Sequence, residues 1–217
     1  IAGGLAYARG WDPAYSTMMA LGQGTPDKIA GFEMWLQANP LAPAAPTNFT
    51  MTPDAGGLLQ AALQWTNPSV DVAGNTLTDL DLVEVYRNGT LAHSITNPTI
   101  GGLVNWTDTG ITAAGDYSYE VIASNDSGAG PAACDAGWVG LDVPEAPSNV
   151  TATPDPGGAL SALISWSCPL AGAHGGYFPA GSWDGQYVYR NGTLVATLTG
   201  TNTTYTDNPT TAGYYTY

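Results

Sequence analysis

The chain has 217 residues, with 18 Asp and Glu against four Lys and Arg, for a formal net charge of −14. That length holds two small domains rather than one large core. The charge balance excludes binding to a nucleic-acid backbone, which needs clustered Lys and Arg, and disfavours anionic membrane surfaces.

Residues 1–42 differ in composition from the rest and read as an N-terminal packing segment. Asp12-Pro13 supplies a helix start and Gly22 a stop, which predicts a short helix over 13–21 burying Tyr15, Met18, Met19 and Leu21. Thr25-Pro26 repeats the start signal. Ile29, Phe32, Trp35 and Leu36 follow at helical spacing, and Asn39-Pro40 ends the pattern. Phe32, Met34 and Leu36 also alternate, so the same stretch has a strand reading; helix is preferred. A segment this short cannot build a core alone and must pack on something. Pro40 to Pro46 reads by composition as a stiff, extended linker.

A repeat begins after it. Ala45-Pro-Thr-Asn-Phe-Thr-Met-Thr-Pro-Asp54 matches Ala146-Pro-Ser-Asn-Val-Thr-Ala-Thr-Pro-Asp155, and Gly56-Gly57 with Leu58 to Trp65 matches Gly157-Gly158 with Ala159 to Trp166. Tyr86-Arg-Asn-Gly-Thr-Leu91 returns as Tyr189-Arg-Asn-Gly-Thr-Leu194. Asn-Gly is the strongest short hairpin signal, because a type I′ turn needs positive φ at both central residues. Trp106-Thr-Asp108 then matches Tyr205-Thr-Asp207, and Gly115-Asp-Tyr-Ser-Tyr119 matches Gly213-Tyr-Tyr-Thr-Tyr217. Within the first copy Leu59, Ala61, Leu63 and Trp65 alternate with Gln60 and Gln64. Val83, Val85 and Arg87 face away from Leu82, Glu84 and Tyr86, and Tyr117, Tyr119 and Val121 share one side of a late strand. Short alternating strands between Gly, Pro and Asn turns predict antiparallel sandwiches.

In these residues the chain resembles fibronectin type III modules. The resemblance rests on an Ala-Pro step before the first strand, a Trp closing the second (Trp65, Trp166), the Tyr-Arg-Asn-Gly hairpin (Tyr86, Tyr189), an aromatic-Thr-Asp step (Trp106, Tyr205) and a late Tyr-x-Tyr strand. It covers about 43–217 and implies tandem antiparallel fibronectin III-like β-sandwiches there, so the expected chain is all-β after the short, helical N-terminal segment read above from its caps and spacing. Tyr117 and Tyr215 are then the expected tyrosine corners. The expected domains are 1–42 for the packing segment (helix or donor strand), 43–143 for the first sandwich and 144–217 for the second, which lacks its last strand. Two readings of that truncation stand side by side. Either the natural chain continues, or a strand from another copy, with 26–37 as the suspected donor, completes the sheet. Ile1 reads as a processed or truncated start.

Candidate chemistry is sparse. Asn-x-Ser/Thr sequons occur at Asn48, Asn88, Asn105, Asn125, Asn149, Asn191 and Asn202, while Pro disqualifies Asn67, Asn97 and Asn208. Charged residues make up 10% of the chain, against a usual ~25%, so glycans on some sequons would account for its solubility. For Asn88 and Asn191 the rival reading is strong, since Asn-Gly-Thr is good hairpin chemistry in itself. The Thr-rich stretch Thr197 to Thr206 suits O-glycans by the same logic. His93 and His174 sit in no triad or zinc pattern and read as satisfied surface residues. Asp79, Asp81 and Glu84 lack the spacing of a calcium loop and read as a solvated acidic edge. Cys134 and Cys168 fall near a strand start and a strand end, and two buried free thiols are the preferred reading, with a bridge between subunits as the other. Tyr177, Phe178 and Trp183 lie in a Gly-rich insert of the second copy, where they either stack on sugar or a partner or cap the sandwich end.

No cofactor, metal or catalytic residue is implied, and no apolar run approaches the ~18 residues of a membrane span. The sequence therefore predicts a non-catalytic structural or adhesive subunit of an extracellular filament or cell-surface assembly, glycosylated, with copies of itself and glycans as partners. The competing expectation is an accessory spacer or carbohydrate-binding module of a larger secreted hydrolase.

Overall fold

The computed structural model describes residues 39–179 and 184–217. The helices expected over 13–21 and 26–37, the donor reading of 26–37 and the expectation for Trp183 lie outside the described residues.

Thirteen strands and no helix are found among the described residues. The first sandwich places β1 (Thr47–Pro53), β2 (Ala61–Thr66) and β5 (Leu103–Asp108) in one sheet, in the order β1-β2-β5. The facing sheet runs β4 (Thr90–Thr96), β3 (Leu82–Arg87), β6 (Gly115–Asn125), with β7 (Gly128–Ala129) and β8 (Ala133–Val139) both pairing on β6. Every pairing is antiparallel. The period-2 readings hold within the strands, but Leu59, expected on the buried face, precedes β2 and is exposed. Ala61, Leu63 and Trp65 are buried while Ala62 and Gln64 are exposed, and Val83, Val85, Tyr119, Val121 and Val139 meet them from the other sheet. Trp65 is fully buried, edge-on to Phe49, and its indole N–H donates to Asn67 Oδ1 at 2.8 Å. That bond removes the penalty of burying a polar N–H.

The second copy repeats this layout. β9 (Ser148–Pro154), β10 (Ala162–Ser167) and β13 (Thr204–Asp207) form one sheet, and β11 (Gln186–Arg190) with β12 (Thr193–Leu198) form a hairpin. Both Asn-Gly turns have the predicted conformation: φ is 48° and 75° at Asn88 and Gly89, and 47° and 78° at Asn191 and Gly192. Each turn Asn also extends the ladder to the next strand. Asn88 N donates to the Ser118 carbonyl while Ser118 N donates to Asn88 Oδ1, both at 2.8 Å. Asn191 and Thr216 repeat that exchange at the same distance. The expected tyrosine corners are present, with Tyr117 Oη donating to Ala113 O at 2.9 Å and Tyr215 Oη to Thr211 O at 2.7 Å. Asp54 and Asp155 serve as matched turn anchors, each accepting two backbone amides through Oδ1 from the Gly-rich loop that follows.

Two expectations need correction. Cys134 and Cys168 are free, but neither is buried: Cys134 is exposed on β8, and Cys168 is half-buried at the end of β10. The thiol of Cys134 takes the outward side because its strand alternates, with Val139 on the inward side. The Pro40 to Pro46 stretch is not a free linker. Ala44 N donates to Val70 O, Val72 N to Ala42 O and Ala73 N to Pro40 O, so the stretch is strapped onto the loop between β2 and β3, with Ala42 and Pro43 buried.

Candidate functional site

Three features stand out from the framework: a charged lock between sheets, the set of sequons, and the joint between the two sandwiches.

The lock is duplicated. Asp108, at the end of β5, accepts from Arg87 Nη1 at 2.6 Å and from Tyr119 Oη at 2.8 Å, both on the opposite sheet. Asp207 accepts from Arg190 Nη1 at 2.8 Å and from Tyr217 Oη at 2.6 Å. Burial and the adjoining carboxylate push the Tyr119 phenol well above its ordinary range, and the same causes push Tyr217 up to about 12. Burial alone would raise the Asp207 carboxyl, but hydrogen bonds from Tyr217 and Arg190 outweigh it and hold the group below the usual value. Both phenols are therefore held as protonated donors and the Asp207 carboxylate as a charged acceptor, a structural arrangement.

The sequons divide by what the fold asks of each Asn. Asn48 and Asn149 sit at matched bulges with φ of 52° and 53°, a conformation Asn tolerates better than most residues. Asn125 is half-buried; its Nδ2 donates to Leu41 O at 3.0 Å while its Oδ1 accepts from Ser127 N. Asn202 Nδ2 donates to Thr199 O at 2.6 Å, and Asn149 Nδ2 to Ser167 Oγ at 3.2 Å. Asn88, Asn105 and Asn191 are different. Each is exposed and uses Oδ1 as an acceptor, from Ser118, Gln64 and Thr216 respectively, and its Nδ2 makes no hydrogen bond among the described residues. Nδ2 is the atom a glycan would occupy.

The open edges of the first sandwich are closed differently at each side. Met51 N on β1 donates to Asp135 Oδ2 on β8 at 2.7 Å. At the other side His93 on β4 stacks on Trp106 of β5, with centroids 4.7 Å apart and planes 5° from parallel. His93 is thus half-buried, its ring packed on Trp106. In the second copy Ala196 replaces His93, and Tyr205 Oη reaches Val195 O at 3.4 Å instead. Between β10 and the β11–β12 hairpin lies an apolar cleft of about 410 Å³ lined by Ile164, Trp166, Tyr187, Val188, Tyr189 and Tyr217. Val121, Ala123 and Val139 fill the matching space in the first sandwich.

The joint escaped sequence reasoning. His174, read as a satisfied surface residue, is exposed and bonded, but its partners lie outside its own loop: its ring stacks on Trp138 at 4.2 Å, and Nδ1 lies 2.7 Å from Asp142 Oδ1. Tyr177 is at the same place, its carbonyl accepting from Asp142 N at 2.8 Å, and it is 37% exposed. Phe178 is half-buried beside it. A signal existed in the repeat alignment: Gly172 stands where the first copy has Asp71, and Asp142 where it has Leu41. Asp79, Asp81 and Glu84 do not converge, and among the described residues no group of His, Cys, Asp and Glu could hold a metal ion. No helix among them is long and apolar enough to cross a membrane.

No family model matches the chain, and no curated protein does. Solved structures do match. The central fibronectin-III array of RIM-binding protein is 20% identical over 76% of this chain and 52% of that one, with a TM-score of 0.33. The FN1–FN3 domains of chicken CNTN1 are 16% identical over 76% of this chain and 56% of theirs, with a TM-score of 0.32. Domains d3–d4 of the extracellular region of rat CD45 are 12% identical over 45% of this chain and 49% of theirs, also at 0.32. The chain thus spans about half the length of these matches. With β1-β2-β5 facing β4-β3-β6-β8, a tyrosine corner in each copy and the same Asn-Gly hairpin twice, the chain is a tandem of fibronectin III-like sandwiches.

Proposed function

We propose that the chain is a non-catalytic structural or adhesive subunit of an extracellular filament or cell-surface assembly. Residues 43–143 and 144–217 are its two building units. N-linked glycans on Asn88, Asn105 and Asn191 are the chemistry that keeps so charge-poor a surface hydrated. The observation that carries this reading is the repeated hairpin tip: the same exposed Asn-Gly-Thr, with Nδ2 free of hydrogen bonds to described residues, on both sandwiches of a chain that is only 10% charged. Asn125, Asn149 and Asn202 rank below these three as glycan sites, because their Nδ2 atoms are already hydrogen-bonded within the fold, while exposed Asn48 stays a candidate beside them. Copies of the chain and its own glycans are the proposed partners. Tyr177 and Phe178 rank low as ligand aromatics, because the joint already uses that loop.

Intact mass of native material before and after enzymatic glycan removal tests the surface chemistry, and electron microscopy of the same material tests assembly. Ordered multi-copy particles and a mass drop of glycan size are expected. An unchanged mass refutes glycosylation, and monomers alone refute the assembly role. A catalytic domain encoded in the same reading frame would replace this reading with that of an accessory module in a secreted hydrolase.

A further inference from the structure

The short segment that joins the sandwiches is held by both side-chain and backbone hydrogen bonds. Asp142 lies between β8 and β9 with its side chain 0% exposed, and all four of its hydrogen bonds are accounted for. Oδ1 accepts from Val143 N at 2.7 Å and pairs with His174 Nδ1 at 2.7 Å. Oδ2 accepts from His174 N at 2.8 Å and Gly176 N at 3.0 Å. Three of the four partners belong to the loop of the second sandwich that follows β10. The backbone follows the same path: Ala173 N donates to Val143 O at 2.8 Å and Glu145 N to Ala171 O at 3.1 Å.

The first copy shows what changed. Its equivalent loop is anchored from within, by Asp71 Oδ1 accepting from Asn75 N at 2.8 Å. Asn75 aligns with Gly176, so the same loop amide is held in both copies. In the second copy the carboxylate has moved out of the loop, where Gly172 now stands, and into the connecting segment. Gly172 leaves the required space: a Cβ there would overlap the Asp142 carboxylate. The loop of the second sandwich therefore cannot keep its anchor unless the connection stays seated.

The first sandwich then grips the same loop. Trp138 of β8 lies flat on the His174 ring, 9° from parallel, and its Nε1–H donates to Leu141 O at 3.2 Å. A Cβ on Gly176 would run into the Trp138 ring, and one on Gly57, in the first sandwich, would meet the Tyr177 ring at 2.5 Å. Both glycines are thus sites of close approach across the joint, where a side chain would force the facing ring to move.

We infer that the two sandwiches move in solution as one stiff body, its angle set by a strap in which Asp142 ties the connection to the second sandwich and Trp138 clamps His174 from the first. This holds whether or not the assembly role proposed above is right, since it concerns the lone chain.

Residual dipolar couplings of the full chain test it. The expected result is a single alignment tensor that fits amides of both sandwiches, and one rotational correlation time for both. Trp138→Ala and His174→Ala each replace a partly exposed ring, and the double variant should split the fit into two tensors of different magnitude. Amide shifts more than a few residues from the joint should stay unchanged. Asp142→Asn, which keeps the shape but loses the charge, should loosen the joint less than the double variant. Two independent tensors in the unmodified chain, or a single tensor that survives in the double variant, would overturn the inference.

Discussion

Tyr119 Oη donates to Asp108 Oδ2 at 2.8 Å from the opposite sheet of the first sandwich, and both residues are buried. Arg87 completes the site at 2.6 Å, so one carboxylate joins two strands of one sheet to a third strand of the other. Tyr119→Phe removes a hydrogen bond to a charged group and is expected to cost about 1.5–3 kcal/mol. Asp108→Ala strands the half-buried guanidinium as well and is expected to cost about 3–5 kcal/mol. Because a two-sandwich chain need not unfold in one step, the readout is hydrogen exchange of the Val83 and Val85 amides rather than a global melt. Tyr217→Phe should be milder in its own sandwich, since Tyr217 is only half-buried.

The hairpin tip carries a fold signal and a sequon in the same three residues, and two substitutions separate them. Thr90→Ala destroys the sequon at an exposed position while Asn88 keeps its exchange with Ser118. Its stability should stay within about 0.5 kcal/mol of the parent, while any glycan mass at Asn88 disappears. Asn88→Ala also removes the sequon, but it places Ala at a φ of 48° and leaves Ser118 N without its acceptor. It should therefore destabilise by about 1–3 kcal/mol. Intact mass and a thermal melt on both variants give the comparison. Equal stability loss in the two would mean that Asn88 does no structural work at the turn.

Acid should act on different carboxylates in opposite directions. At Asp142 burial pushes the carboxyl up, but hydrogen bonds from His174, Gly176 and Val143 outweigh it and leave the group below its ordinary 3.8. A depressed folded value means stability that is fully present above 3.8 and fades as pH falls through the lower folded value. Asp81 is the reverse case. Desolvation, then the charges of Asp79 and Asp126, raise it above 3.8, so its ionisation works against the fold once pH climbs past that value. Asp81→Asn should therefore raise the melting temperature at pH 7 and leave it unchanged at pH 3. A variant that melts lower than the parent at pH 7 would show that the acidic edge stabilises its strand.

Much of the fold was legible because it is local. Strand faces follow from alternation, as at Ala61, Leu63 and Trp65, and the type I′ turns follow from Asn-Gly chemistry. The tyrosine corners at Tyr117 and Tyr215 were legible only through family resemblance. What stayed hidden is long-range or conformational. Nothing local marks Asn48 as a positive-φ bulge residue, because its letter fits an exposed strand start equally well. The His93–Trp106 stack joins strands of different sheets and so has no sequence period to betray it. The Cys134 error came from weighing the residue's usual burial above its outward place on β8. The exchange of Asp71 for Asp142 was visible in the repeat, but as two unrelated differences rather than one transfer.

Two glycines separate the kinds of constraint that backbone geometry imposes. Gly89 has φ of 75° with nothing within 4 Å of a built Cβ, so Gly89→Ala meets only conformational strain, about 1–2 kcal/mol. Gly130 has an ordinary φ but no room: a Cβ would overlap the carbonyl of Pro43, in the strap over the loop between β2 and β3. Gly130 N also donates to Ala123 O at 2.8 Å, which fixes it from behind. Gly130→Ala must therefore shift backbone rather than a flexible side chain, at a cost of about 1–3 kcal/mol. The strap is what gives way, because Pro43 is held through its neighbours Ala42 and Ala44 and not through Gly130. Protection of the Ala44 and Val72 amides against hydrogen exchange should fall in Gly130→Ala and persist in Gly89→Ala. Retained protection in the Gly130 variant would mean that β7 moves instead and the strap is the more rigid of the two.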